Sequence, residues 1–221
     1  MQELNDSHTA REAGPEQSWT RGPEALDAVL GSVGVSIRPD DDIVEIGCGS
    51  GSMTRPIAER GRSVRALDVS AEALARARRE NADLGNVAWL HGDGKGLTGI
   101  GDGSADGVVS YEVLEQIPDP DVILGYVREM GRVLRPGGWA AFQVCNDPGG
   151  RRSRETTGLR DRLRALIGRA PNDPSEGSST SAGCSVAVAQ VRQAASAAGM
   201  EIERTRGAGT RSCLLLARKR D

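Results

Sequence analysis

Short apolar runs alternate with amphipathic stretches along most of the chain. The runs at 43–46, 64–67, 87–90, 107–110 and 139–144 consist largely of Val, Ile, Leu and Ala, which is typical of buried strands. Helices are predicted where apolar residues recur at helical spacing, namely after Pro23, over 52–60, after Ser70 and after the pair Asp119-Pro120. The regular order of strand and helix predicts a parallel sheet.

The C-terminal part has a different pattern. A helix is predicted at 185–198, and two further strands at 200–202 and 212–217 are separated only by a short turn, so they can pair only as a hairpin. The sequence therefore predicts an α/β fold with a seven-stranded, mostly parallel, doubly wound sheet. One C-terminal hairpin strand is antiparallel, and helices cover both faces.

Two segments interrupt this pattern. Residues 1–20 are polar and aperiodic and predict an N-terminal arm. Residues 146–183 are rich in Gly, Ser, Pro and Arg and predict a lid-like insertion within one domain that spans 21–221.

Composition narrows the class of protein. A chain of 221 residues is long enough for one buried core, and a formal net charge of -3 argues against a protein that grips a nucleic-acid backbone. The chain has no long apolar stretch and no hydrophobic signal segment, which predicts no membrane association and a cytoplasmic location. Four scattered cysteines suggest neither zinc nor disulfides, and the pattern does not indicate an oligomeric state.

A glycine-rich loop, Glu45-Ile-Gly47-Cys-Gly49-Ser-Gly51, follows the first strand. Ligands of open parallel sheets bind at the carboxyl ends of the strands, and glycines allow backbone N–H groups to approach a ligand closely. A dinucleotide fingerprint requires glycine at the position of Ser52, so this loop departs from it. A plain tight turn is the alternative interpretation.

The spacing of an acidic residue and three glycines resembles the first motif of the class I S-adenosylmethionine-dependent methyltransferases. The resemblance continues in Asp68 at the end of the second strand, in Gly92-Asp93-Gly94, in the segment 110–119 and in the turn 132–138. It covers about residues 40 to 145. It implies a Rossmann-like domain and S-adenosylmethionine as cofactor.

The resemblance also implies residue roles. Glu45, Gly47, Gly49 and Gly51 would form the cofactor loop, and Asp68 would accept both ribose hydroxyls unless it only caps the next helix. Asp93 would hold the adenine amino group while the Gly94 region offers a backbone N–H to the ring. The segment that begins at Ser110 would face the methionine part of the cofactor.

Candidates for the base that deprotonates an acceptor are Glu112 and Tyr111, whereas Glu115 is interpreted as a solvated helix residue. The small-molecule branch of the family often carries histidine where this chain has Gln116, so no histidine base is expected there, and His91 is interpreted as a surface or capping residue. The fourth strand lacks the Asn/Asp-Pro-Pro-Tyr pattern, which argues against methylation of nucleic acid or protein glutamine and leaves a hydroxyl, carboxylate or aliphatic amine.

A divalent-metal site is an open alternative. Asn146 and Asp147 follow the fifth strand, and with Glu112 they would offer three oxygen ligands to magnesium. The same Asn-Asp-Pro-Gly sequence is also typical of a loop-opening turn. The prediction favours the metal-free interpretation and names no firm metal ligand.

The predicted function is methyl transfer from S-adenosylmethionine to a small-molecule acceptor, namely a hydroxyl of a sugar, glycan or secondary metabolite. An arginine-rich insertion would favour an acceptor with phosphate or carboxylate groups, or a polyhydroxylated one, although most such runs are solvated helix faces. The alternatives are a catalytically silent cofactor-binding module and a nicotinamide-dependent oxidoreductase.

Overall fold

The computed structural model describes residues 22–148 and 184–221. The predicted N-terminal arm and nearly all of the predicted insertion lie outside the described residues. The rest of the chain forms one sheet with helices on both sides.

The sheet has seven strands in the order β3-β2-β1-β4-β5-β7-β6. All neighbouring pairs from β3 to β5 are parallel, and β7 is antiparallel to both β5 and β6. This confirms the predicted mostly parallel sheet with one antiparallel hairpin strand. The strands are β1 (Asp42–Ile46), β2 (Ser63–Asp68), β3 (Val87–His91), β4 (Ala105–Ser110), β5 (Leu134–Val144), β6 (Met200–Arg206) and β7 (Cys213–Lys219).

Local sequence signals set the ends of the helices. Helices occur at α1 (Pro23–Val33), α2 (Thr54–Ala58), α3 (Ala71–Glu80), α4 (Pro120–Val133) and α5 (Val188–Ala197). The Ser70 hydroxyl accepts a hydrogen bond from the Ala73 N–H and caps α3, and the Asp119 carboxylate accepts one from the Asp121 N–H at the start of α4. The helix predicted over 52–60 is shorter than expected, because residues 51–53 are still part of the loop after β1.

The two faces of the sheet bury different sets of apolar side chains. Helices α1, α2 and α3 cover one face, where Leu26 and Ile57 pack with Ile43 and Ala141 of the sheet. On the opposite face α4 and α5 cover Val44, Ile46, Val108 and Phe142. Because neighbouring residues of a strand point to opposite faces, each buried strand contributes to both clusters. Cys48, Cys184 and Cys213 belong to these clusters, and Cys145 is buried as well.

Two strands differ from the prediction in extent. Strand β5 begins at Leu134 rather than at the predicted Trp139. Its register with β4 shifts between Ala105 and Gly107, so the Pro-Gly-Gly turn lies within the strand as an irregularity. Strand β6 continues to Arg206, since its polar outer residues Arg204, Thr205 and Arg206 still pair with β7. None of the helices in the described ranges is long and apolar enough to cross a membrane.

Candidate active site

A cleft of about 390 Å³ opens at the carboxyl ends of β1, β2 and β4. This is the edge of the sheet where an open parallel α/β fold places its ligands. Its walls come from the loop after β1, from the ends of β2 and β4, from Gly92 and Gly96 after β3, and from α1 and α4. The side chains at its edge include Ala25, Met53, Val69, Tyr111, Glu112, Gln116 and Tyr126.

The glycine loop turns sharply over the end of β2. The N–H groups of Gly47 and Cys48 both donate to the carbonyl of Leu67, at 2.7 and 2.9 Å. Gly47 has φ 76°, and a Cβ atom there would lie 2.1 Å from Cγ2 of Val113. Glycine is therefore required at this position both for its backbone conformation and for its contact with the segment after β4.

Asp68 joins the glycine loop to the start of α3. Its Oδ2 accepts a hydrogen bond from the Gly49 N–H at 2.8 Å, and its Oδ1 accepts one from the Ser70 N–H at 2.9 Å. The carboxylate thus lines the cleft and also supports the helix entry, so the two interpretations of Asp68 do not exclude each other. Each carboxylate oxygen retains further lone-pair capacity for a ligand hydroxyl.

Glu45 lies at the base of the cleft beneath the loop. It is almost fully buried, and its Oε2 accepts a hydrogen bond from the Thr54 hydroxyl at 2.6 Å. Burial raises the pKa of the Glu45 carboxyl to about 7, against the Thr54 hydrogen bond, and the nearby charge of Asp68 adds to the increase. This side chain ties β1 to the first residue of α2.

Asp93 lies apart from the cleft. Its carboxylate accepts hydrogen bonds from the Lys95 N–H at 2.8 Å and from the Thr98 hydroxyl at 3.3 Å, and these contacts hold the pKa of Asp93 below its usual value. The side chain lines a shallow depression beside Arg128 instead. An Asp that bonds to the backbone two residues later is typical of an Asx turn, a signal that the Asp93-Gly94-Lys95 sequence contains.

Ser110 and Tyr111 diverge at the end of β4. Ser110 is fully buried, its hydroxyl has no hydrogen-bond partner within the described residues, and it does not line the cleft. Tyr111 does line the cleft, and burial raises its pKa to about 12, helped by the charges of Glu112 and Glu115.

Glu112 and Gln116 line the cleft together. Glu112 has φ 58°, and within the described residues no other non-glycine has a positive φ. The Gln116 side-chain amide donates a hydrogen bond to the Glu112 carbonyl oxygen. The predicted base is therefore in the cleft wall, on a backbone conformation that L-residues rarely adopt.

Residues 44–142 match the family described as "Methyltransferase domain". This match, the curated relatives and the solved structures together support the resemblance to the class I S-adenosylmethionine-dependent methyltransferases. It is 31% identical over 106 residues to the ubiquinone biosynthesis O-methyltransferase of Nitrosospira multiformis, a match that covers 48% of this chain and 43% of that protein. The protein of the same name from Serratia proteamaculans is 32% identical over 108 residues, covering 48% of this chain and 44% of the relative.

The chain thus spans less than half the length of these curated relatives. Solved structures show the same methyltransferase fold over more of the chain. A SAM-dependent methyltransferase from Methanosarcina mazei has a TM-score of 0.62 at 22% identity and covers 83% of this chain and 94% of its own. A putative sarcosine dimethylglycine methyltransferase from Galdieria sulphuraria has a TM-score of 0.64 at 19% identity, covering 90% and 85%.

Glu115 is not the solvated helix residue that its sequence position predicts. It is half-buried in the short 3₁₀ helix Leu114–Gln116, where its Oε2 accepts a hydrogen bond from the side-chain amide of Gln143. Gln143 is itself only 4% exposed. Burial raises the pKa of Glu115, while the Gln143 hydrogen bond opposes the increase. The available signal was Gln143, a polar residue in the apolar strand Trp139–Val144.

Asn146, one residue of the hypothetical magnesium site, is held by two other parts of the chain. Asn146 is buried, its amide donates to the Val186 carbonyl at 2.6 Å, and its side-chain oxygen accepts from the Gly209 N–H at 2.8 Å. Asn146 therefore ties the loop after β5 to two other loops. Across 22–148 and 184–221, no three His, Cys, Asp or Glu side chains converge as a metal site.

The exposed His91 contacts the Val69 carbonyl through Nε2 at 2.9 Å. Val69 is the residue that follows Asp68 and forms part of the cleft rim. The structure therefore places His91 behind the rim, where a histidine can support the loop backbone.

Proposed function

We propose that this chain transfers a methyl group from S-adenosylmethionine to a hydroxyl group of a small molecule. The observation that carries the proposal is the meeting of the glycine loop and Asp68 in one cleft, joined by the bond from the Gly49 N–H to the Asp68 carboxylate. Backbone N–H groups of the loop suit the cofactor's polar groups, and the carboxylate suits a pair of ribose hydroxyls.

The charge of the cleft supports this cofactor. Glu45, Asp68 and Glu112 line it, and among its described lining residues there is no lysine or arginine. S-adenosylmethionine carries a positive sulfonium centre that a cavity of negative potential attracts. The exposed Val69 side chain, at 60% of its full accessibility, offers an apolar surface next to Asp68 against which an adenine ring would pack.

The acceptor would enter on the side of Tyr111 and Glu112. The sulfonium methyl is already activated, so the protein must align the acceptor oxygen and remove its proton. Glu112 is the proposed base because it lines the cleft, and Tyr111 is the alternative. The names of the curated relatives, ubiquinone biosynthesis O-methyltransferases, support a hydroxyl acceptor, and a sugar, glycan or secondary metabolite is still the proposed class.

Isothermal calorimetry tests the cofactor. S-adenosylmethionine and S-adenosylhomocysteine should bind, and NAD should not, which separates this function from that of an oxidoreductase. Asp68→Ala should weaken binding by about 1.5–3 kcal/mol, the range for a hydrogen bond to a charged group. Asp83→Ala is the matched control, since Asp83 pairs with Arg55 outside the cleft. Equal affinity of Asp68→Ala and the control would contradict the assignment.

Turnover tests the chemistry. Methyl-labelled cofactor incubated with a panel of phenols, polyols and sugars should label at least one hydroxyl compound, and Glu112→Gln should reduce that rate about a hundredfold without loss of cofactor binding. Binding without labelling of any acceptor would instead favour the silent cofactor-binding module.

A further inference from the structure

The backbone of Glu112 is in the left-handed region at φ 58°, immediately after the end of β4. For a residue with a side chain this conformation is strained, and it persists only where neighbouring groups hold it. Such strain in a cleft wall calls for an identified restraint.

The Gln116 side chain supplies that restraint. Its amide donates to the Glu112 carbonyl from one turn further along, while the Gln116 backbone N–H donates to the Val113 carbonyl at 2.9 Å. Both ends of the residue therefore bond to the segment that contains the strained backbone. A glutamine amide is neutral and keeps its donors at every ordinary pH, so this restraint does not depend on a protonation state.

The consequence extends across the cleft. Val113 follows Glu112 directly and lies against Gly47, so closely that any Cβ at position 47 would overlap its methyl groups. A change in the Glu112 backbone would move Val113 and with it the contact to the glycine loop. The conformation at position 112 is thus linked to the loop that holds Asp68 through Gly49.

We propose that Gln116 is a positioning residue that holds Glu112 in its left-handed conformation and, through Val113 and Gly47, fixes the shape of the cofactor cleft. This inference rests on the proposed function in one respect, because the test measures the affinity for S-adenosylhomocysteine. Gln116 needs no contact with the reacting atoms for this role.

A double-mutant cycle measured by calorimetry with S-adenosylhomocysteine tests the proposal. Gln116→Ala should weaken binding about three- to tenfold, the effect of one lost hydrogen bond. The same change should cost as much in a Glu112→Ala background, where the strain persists, and less than about twofold in a Glu112→Gly background, because glycine adopts positive φ freely. Gln116→Glu keeps the length but loses the donor and should behave like Gln116→Ala.

Gln193→Ala, at an exposed glutamine of α5, is the matched control and should leave affinity unchanged. Equal losses from Gln116→Ala in the Glu112→Ala and Glu112→Gly backgrounds would overturn the proposal, since Gln116 would then act independently of the backbone at position 112. Full affinity of Gln116→Ala would overturn it as well.

Backbone hydrogen exchange separates this inference from the proposed function. If the wild-type protein binds no S-adenosylhomocysteine, the proposed function fails, but the cycle can still be measured through the exchange of the Gly47 and Cys48 N–H groups, which donate to the Leu67 carbonyl. Gln116→Ala should then speed this exchange in the wild-type protein and in the Glu112→Ala variant, and not in the Glu112→Gly variant. Equal acceleration in all three backgrounds would overturn the proposal without any ligand.

Discussion

The carboxylates at the amino ends of the parallel strands (the amino edge of the sheet) and those at the carboxyl ends (the cleft edge) have opposite electrostatic surroundings. At the amino ends, Asp42 accepts hydrogen bonds from Arg62, Arg135 and the Ser63 hydroxyl, and the Arg62 contact above all holds its pKa well below the usual range. At the carboxyl ends, burial raises the pKa of Glu45 and Glu115. One edge neutralises its carboxylates with guanidinium groups. The other keeps carboxylates buried near a cleft that, within the described residues, has no lysine or arginine in its wall.

The paired amino edge stabilises the fold, whereas the unpaired cleft edge is suited to binding a ligand. Pairing at the amino edge joins the first residues of β1, β2 and β5 and also includes Asp106 of β4, which accepts from Arg135 and from the Asp42 N–H. A fully paired charge has no capacity left for a ligand. The cleft edge retains negative charge that no guanidinium in its wall neutralises, which costs folding free energy and becomes useful when a positively charged ligand binds.

The largest expected effect is the pH dependence contributed by Glu45. Its folded-state pKa of about 7 lies above the ordinary 4.5, so the folded protein keeps a proton that the unfolded chain has lost. The contribution of Glu45 to the free energy of unfolding is therefore largest below pH 4.5. It decreases by about 3 kcal/mol as the pH rises to about 7, because the unfolded chain releases this proton more easily than the folded protein does. Urea unfolding of wild type and Glu45→Gln from about pH 4.5 to about pH 8 should show this decrease only in the wild type.

Thr54→Val serves as a control for that experiment, since it removes the hydrogen bond to Glu45 but keeps the carboxyl. It should retain the pH-dependent decrease in stability. Parallel curves for wild type and Glu45→Gln would show that Glu45 titrates normally in the folded protein.

The amino edge should respond in the opposite direction. The pKa of Asp42 is lowered, so its contribution is present above the ordinary value of 3.8 and is lost as the pH falls below it. Asp42→Ala should cost about 2 kcal/mol at neutral pH, because it removes a carboxylate that is only 14% exposed and accepts hydrogen bonds from Arg62, Arg135 and the Ser63 hydroxyl. Chemical denaturation measures the loss, and calorimetry should show unchanged cofactor affinity.

A surface pair offers the comparison for Asp42. Asp83 contacts Arg55 at 2.7 Å, but its side chain is 66% exposed, so solvent screens the pair and Asp83→Ala should change stability far less than Asp42→Ala. Similar losses for both variants would mean that the amino-edge network contributes no more than an exposed ion pair.

The sequence predicted the sheet better than the cleft. Hydrophobic periodicity is a local property, so the strands, the Ser70 cap and the C-terminal hairpin followed directly from it, and Asp68 followed from its place at a strand end. Side-chain directions in loops depend on contacts from elsewhere. The bond from Gln143 to Glu115 joins residues 28 positions apart and requires knowledge of the fold, whereas the Asp93 turn is local and its Asp-Gly-Lys sequence is a signal for it.

A smaller effect is expected at Gln143. Gln143→Leu should cost about 1 kcal/mol for one hydrogen bond, and it should raise the Glu115 pKa further, since the amide now opposes the effect of burial. A carboxyl-resolved NMR titration of Glu115 measures the direction. Gln193→Leu on the exposed face of α5 is the control, and a Glu115 midpoint that falls in Gln143→Leu would contradict the assigned hydrogen bond.

The smallest expected effect is that of a chelator. A magnesium site would need Asn146 to turn an oxygen towards Glu112, but both ends of its amide already bond to Val186 and Gly209 in a buried position. Releasing them would leave a backbone carbonyl and a backbone N–H without partners, at a cost of about 1–3 kcal/mol each. EDTA should therefore leave methyl transfer unchanged, while Asn146→Ala should lower Tm without making activity depend on magnesium. Activity lost with EDTA and restored by magnesium, together with inactivation by Asp147→Ala, would return the metal to the mechanism and change the role of Glu112 from base to ligand.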